Sequence, residues 1–436
     1  MKALLDLVAQ HRSGQPVGIP SICSAHPVVL DAALIHARDN GRPVLIEATS
    51  NQVNQFGGYT GMRPTDFHAF VMAKADRVGL ARELVLLGGD HLGPNAWQDE
   101  PAAAAMAKSD TLIDDYVAAG FRKIHLDCSM ACADDPPVLA DAEVAVRAAR
   151  LAAVAERAWQ RSGGEAPVYI VGTEVPVPGG AKEELDELQA TRPEAMAATV
   201  EAHRKAFAEH SLANAWQRVI GLVVQPGVEF DHHDVVDFQP DKARALSAAI
   251  EPFPGLVYEA HSTDYQTAEA LAALVRGHFA ILKVGPGVTY ALRETLWALS
   301  FIEDEMLPAE TRSGLRNVVL EVMRAEPKYW NKYYTDASRL TFDLQYSLSD
   351  RVRYYWAHPR IHEACDTLMR NLDAASPTGA LPLALLSQFL PRQYDDIRAG
   401  HLANSASDIL RAGVTYVLRQ YAEACGQRFS ANGFGK

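Results

Sequence analysis

In the stretch LLGGDHLGP, residues 86–94, a carboxylate and an imidazole stand side by side directly after two glycines. An imidazole nitrogen can hold a divalent transition metal, and a neighbouring carboxylate can take or return a proton. Asp90 and His91 could do this work only with partners from elsewhere in the chain. A helix cap by Asp90 or Asn95 is the structural alternative. Gly88 and Gly89 fit a backbone that approaches a ligand closely, and they fit a turn equally well. His261, in HSTD, and Glu174, in EVPVPGG, complete a His/His/carboxylate set suited to a divalent metal.

Those residues need a scaffold that brings distant segments together. Short β-branched apolar runs recur along the chain. They begin PVGIPSIC at Pro16, PVLIEATS at Pro43, LVLLGGDH at Leu84, KIHLDCSM at Lys123, PVYIVGTEV at Pro167, RVIGLVVQPG at Arg218, LVYEAHST at Leu256 and FAILKVGPG at Phe279. Segments of helical periodicity fill the intervals, as in 142–159 and 267–279. Continuous apolar strands alternating with helices specify a parallel sheet covered on both faces. Eight such units over about 270 residues predict an α/β fold, a (β/α)8 TIM barrel spanning 1–287, with 288–436 as a helical extension packed on it. An open doubly wound sheet is the alternative, but no GxGxxG follows the first strand.

In such a barrel the chemistry sits at the C-terminal ends of the strands. Those ends carry Ser24 and His26; Glu47 and Asn51; Asp90 and His91; Asp127 and Ser129; Glu174; Gln225 and Glu229; Glu259, His261 and Asp264; and Lys283. Any one of them alone reads as a satisfied polar residue. Converging on one mouth, they require pairing or a metal. Gly179–Gly180, Ser262 with Thr263, and GPGVT (285–289) beside Lys283 are candidate anion-binding turns. DHHD (231–234) reads as an exposed loop. The aromatic cluster Tyr329, Trp330, Tyr333, Tyr334, Tyr354, Tyr355 and Trp356 reads as helix packing.

A formal charge of −13 argues against a nucleic-acid or anionic-membrane surface as the main role. Five cysteines without repeated spacing read as reduced thiols. MKALLDLVAQHRSG reads as an amphipathic helix, not a signal peptide, and no apolar run approaches the roughly 20 residues that span a bilayer. A soluble cytoplasmic protein is expected.

LLGGDHLGPN, TEVPVPGG, QPGVEFDHHD, VYEAHSTDYQT and ILKVGPGVTYALRE together resemble the Z-type subunit family of tagatose-bisphosphate aldolase, along essentially the whole chain. The resemblance implies a (β/α)8 barrel related to class II aldolases. It implies one of two functions: a non-catalytic subunit stabilising the catalytic aldolase subunit, or a metal-dependent ketohexose 4-epimerase. The epimerase would act on D-tagatose 6-phosphate or the free ketohexose by retro-aldol cleavage and re-addition at C3–C4. Homo-oligomers are expected. By this resemblance His91, His261, Glu174 and Gln225 are the metal-site positions, with Asp90 and Glu174 as acid/base groups. Glu47, Asn51, Asp127, Gly180, Ser262 and Lys283 are the expected substrate contacts. Three departures stand out: Gln225 where the family pattern has a zinc histidine, HSTD in place of a phosphate turn, and Lys283-Val284-Gly285 in place of Lys-Val-Asn. They leave bisphosphate cleavage unsupported and the metal open between zinc, manganese, cobalt and nickel. A sugar kinase reading finds neither GxxxxGK[ST] nor a kinase glycine loop.

Overall fold

The computed structural model describes residues 1–172, 188–374 and 378–427. Each of the eight apolar runs forms a strand: β1 (Ile19–Ile22), β2 (Val44–Thr49), β3 (Val85–Leu92), β4 (Lys123–Leu126), β5 (Val168–Gly172), β6 (Val219–Val223), β9 (Val257–Ala260) and β10 (Phe279–Val284). β7 (Glu229–Phe230) and β8 (Val235–Val236) form a separate antiparallel hairpin. The eight longer strands close into a parallel barrel in the order β1-β10-β9-β6-β5-β4-β3-β2. The protein is therefore a (β/α)8 barrel with a helical extension.

Local chemistry sets the surrounding helices. Helix Pro27–Asn40 starts with proline in its first turn and ends at Gly41 in a left-handed conformation. Thr267 caps helix Ala268–Arg276 by accepting the Ala270 N–H at 3.2 Å. Helix Lys2–Arg12 closes the bottom of the barrel, where Met1, Leu4 and Val8 pack with Ile19, Leu45, Leu86, Val168, Val257 and Ile281. That apolar floor uses alternate residues of the strands.

Above this floor four of the strands turn ionic at their inward positions, with Glu47 on β2, Lys123 on β4, Glu259 on β9 and Lys283 on β10, all buried. β3 contributes Gly88 at this level because a Cβ there would lie 2.7 Å from Glu47 Oε1. Another two residues on stand Cys23, Thr49, Asp90, His125 and His261. The barrel is thus apolar below, ionic in the middle and ligand-bearing at the mouth.

Beyond β10, helix Pro286–Met306 runs through residue 288, where sequence alone placed the start of the extension. Two of the contacts by which the extension returns to the barrel bear on the mouth. Tyr421 donates to the Thr263 carbonyl at 2.6 Å. Asp350, fully buried, pairs with Arg293 at 2.9 Å and accepts from Thr289 at 2.6 Å, while Tyr265 holds the Leu348 carbonyl. This second clamp carries Arg353 and Tyr354 to the barrel mouth. No helix among the described residues is long and apolar enough to cross a membrane.

Candidate active site

β3 and β4 pair in register at Gly88 and Gly89, then slip, so that Leu92 meets Leu126. Two residues, Asp90 and His91, occupy the slipped interval, and His91 adopts a left-handed backbone at φ 48°. A bulge of this kind breaks the in/out alternation and re-aims side chains. Asp90 and His91 consequently both face the cavity at the mouth. Ser262, after β9, is also left-handed at φ 52°. Such conformations cost roughly 1–3 kcal/mol each and gather at functional sites.

Asp90 Oδ1 is 2.9 Å from His125 Nδ1 and 2.8 Å from Lys283 Nζ. Burial would raise the Asp90 carboxyl, but His91, Lys283 and His125 outweigh it and hold the group well below the usual carboxylate range. His91 Nδ1 lies 2.7 Å from Asp127 Oδ2. Burial opposes a charge on His91, yet Asp90 and Asp127 prevail and raise its pKa. His261 Nε2 lies 3.0 Å from Glu259 Oε1, and burial pushes this imidazole down to about 4. Below them Lys123 bridges Glu47 at 2.5 Å and Glu259 at 2.6 Å, and Lys283 also pairs with Glu47.

A divalent cation fits this donor set on three grounds. One ligand atom each from Asp90, His125, Glu259 and His261 lies within 4.8 Å of the others. His125 Nε2 is buried and finds no hydrogen-bond partner among the described residues. Two lysines face four carboxylates (Glu47, Asp90, Asp127 and Glu259), so the network carries a formal charge of −2 with neutral histidines and −1 with His91 protonated. Asp127, by accepting from His91 Nδ1, leaves His91 Nε2 as a lone-pair donor, the usual arrangement behind a ligating histidine. The ring centroids of His91 and His261 are 4.9 Å apart.

Asn51, Asp90, His91, His261, Ser262 and Lys283, expected from the sequence, all line the cavity. Glu47 lies one layer beneath it, paired with both lysines. Asp127, expected at the substrate, faces His91 and Ser129 instead. Gln225, expected at the metal, is not among the cavity-lining residues and accepts the Gly227 and Val228 N–H groups at 2.8 and 3.0 Å. Glu174 and Gly180 lie outside the described residues. Of the other strand-end residues, His26 caps helix Pro27–Asn40 through the Val28 N–H, and burial pushes Glu229 up to about 7.

Sequence reading missed His125, Lys123, Cys23, Tyr59, Arg353 and Tyr354. His125 had a signal, since Lys123, His125 and Asp127 alternate on one face of β4. Arg353 and Tyr354 had none, because the aromatic cluster read as packing. Much of it does pack, with Tyr329 stacked on Tyr354 at 5.0 Å, but Tyr354 and Tyr59 also line the cavity. Arg353 donates to the Ser349 and Asp350 carbonyls and to the Tyr354 phenol, and no carboxylate among the described residues is within ion-pair distance. DHHD is no free loop: it joins β7 to β8, and His232 bonds Ser349 and the Tyr333 carbonyl while His233 pairs with Asp343.

The sequence model of a family described as D-tagatose-1,6-bisphosphate aldolase subunit GatZ/KbaZ-like matches residues 4–426. A solved structure from Sinorhizobium meliloti, named a probable tagatose 6 phosphate kinase, is 51% identical and superposes with a TM-score of 0.86, over 94% of this chain and 100% of that one. A fructose-bisphosphate aldolase from Campylobacter jejuni is 13% identical with a TM-score of 0.44, over 85% of this chain and 92% of that one.

Proposed function

The chain belongs to the D-tagatose-1,6-bisphosphate aldolase subunit GatZ/KbaZ-like family, and from that premise we propose that it is a metal-dependent ketohexose 4-epimerase interconverting D-tagatose 6-phosphate and D-fructose 6-phosphate. The observation that carries this reading is the convergence of Asp90, His125, Glu259 and His261 at the barrel mouth, with His125 Nε2 buried and unsatisfied.

His125, Glu259 and His261, with His91 beside them, would hold the cation, leaving Asp90 at its edge as the acid/base group. When bound it would supply Lewis-acid polarisation of the substrate's C2 carbonyl. Asp90 is ionised at neutral pH and accepts the C4 hydroxyl proton. The C3–C4 bond then breaks, its electron pair passing to the enediolate of the C1–C3 fragment while C4 becomes an aldehyde. The aldehyde turns its other face, C3 re-adds to C4, and Asp90 returns the proton to the new C4 oxygen. Lys283 keeps Asp90 ionised between these transfers.

The test is conversion by the purified chain alone, before and after chelation. Conversion that chelator abolishes and added metal restores is expected. No conversion of D-tagatose 6-phosphate or free D-tagatose with metal supplied would move the protein to the accessory-subunit role.

A further inference from the structure

The long helix Pro286–Met306 begins at the cavity, where Gly285 and Pro286 form part of the wall. A helix start offers free N–H groups and a positive dipole end, and phosphate groups commonly sit there. Here those donors are already taken. Asp264 Oδ1 accepts the Gly285 N–H at 2.9 Å and the Gly287 N–H at 2.7 Å. Residue 287 is glycine where a Cβ would lie 3.0 Å from that same oxygen. Asp264 is 3% exposed and lines the cavity together with Ser262.

We propose that Asp264 is a specificity-determining residue that excludes phosphate from this end of the site, so that the sugar carbon placed here bears a hydroxyl and ketohexose bisphosphates are rejected. The reason is twofold. A phosphate here would find both backbone donors occupied, and its charge would stand against a buried carboxylate. A hydroxyl suffers neither penalty and can donate to the remaining Asp264 oxygen. Building repulsion against a competitor is an established route to selectivity. The naming of the sugar rests on the ketohexose 6-phosphate reading; the closure of the helix start does not.

The experiment is calorimetric titration of the wild-type protein, Asp264→Ser and Asp264→Asn with D-fructose 6-phosphate, D-fructose 1,6-bisphosphate and inorganic phosphate. Wild type is expected to prefer the monophosphate by at least tenfold, and Asp264→Ser to raise the bisphosphate-to-monophosphate affinity ratio at least tenfold. Equal affinities in wild type, or an unchanged ratio in Asp264→Ser, would overturn the proposal. If Asp264→Ser fails to fold, Asp264→Asn decides: loss of the charge should raise the ratio, and an unchanged ratio overturns the assignment. If wild type binds neither sugar, the ketohexose reading fails. Inorganic phosphate then decides alone: binding by a variant but not by wild type supports the role of Asp264, and binding by wild type or by no variant overturns it.

Discussion

Asp127 Oδ2 and His91 Nδ1 stand 2.7 Å apart in the barrel mouth, both buried. The contact fixes which imidazole nitrogen carries the proton and turns the other toward Asp90 and His261. On the proposed reading Asp127 is a positioning residue, acting through His91. Asp127→Asn should fold with an unchanged circular dichroism spectrum and bind zinc about 10–100-fold more weakly. Calorimetric titration with zinc checks this, and wild-type affinity would remove His91 from the metal site.

Lys123 lies between Glu47 and Glu259 with no exposure of any of the three side chains. Removing one partner of a buried ionic network leaves uncompensated charge and costs about 3–5 kcal/mol. Lys123→Met should lower the urea midpoint accordingly. Adding Glu47→Gln should recover part of the loss, because it removes one of the carboxylates that Lys283 alone would then have to neutralise. A single variant as stable as wild type would mean the ionic layer is not closed as described.

Asp90→Asn keeps the shape of the side chain and removes its basicity. Epimerisation should fall by roughly 10²–10⁴, the usual scale for loss of a general base. The protein should still contain metal, held by His125, His261 and Glu259. Full activity in a folded, metal-loaded Asp90→Asn protein would assign the proton transfer elsewhere.

Stability should also depend on pH through histidines away from the mouth. Burial lowers His26 to about 3 and His36 to about 4, from 6.5. Between those values and 6.5 the unfolded chain binds more protons at these histidines, so their contribution to stability rises with pH across that window. Glu229 and Asp264, raised by burial to about 7 and about 6, act in the opposite sense, so the His26 contribution is read as the difference in melting temperature between wild type and a His26 variant, which should shrink as pH drops from 6.5 toward 4. His26 Nδ1 must stay unprotonated to accept the Val28 N–H. His26→Asn keeps an acceptor there and should make the acid loss shallower; an unchanged slope would exclude His26 as a contributor.

The strands were legible because parallel barrel strands, buried on both faces, read as apolar runs punctuated by turn residues. Asp90, His91, His261 and Lys283 were legible because polar residues at the ends of such runs have few reasons to be there. His125 was not, since one histidine inside KIHL reads as strand interior, and only its alternation with Lys123 and Asp127 marks it as inward-facing. Asp264 was visible as polar, but its partners lie more than twenty residues on, and no local pattern shows that it closes the start of the following helix. Arg353 is carried to the mouth by contacts such as the Asp350 clamp on Arg293 and Thr289, tertiary contacts without a sequence signature.

The central claim is inversion at C4 by C–C cleavage within this chain. The most direct measurement is the conversion of D-tagatose 6-phosphate by the purified metal-loaded protein in D2O, with the product read by NMR. D-Fructose 6-phosphate that retains its original hydrogen at C4 is the predicted result, because that hydrogen stays on the aldehyde carbon throughout. Deuterium at C4 would contradict the retro-aldol route, and absence of product would contradict the epimerase itself.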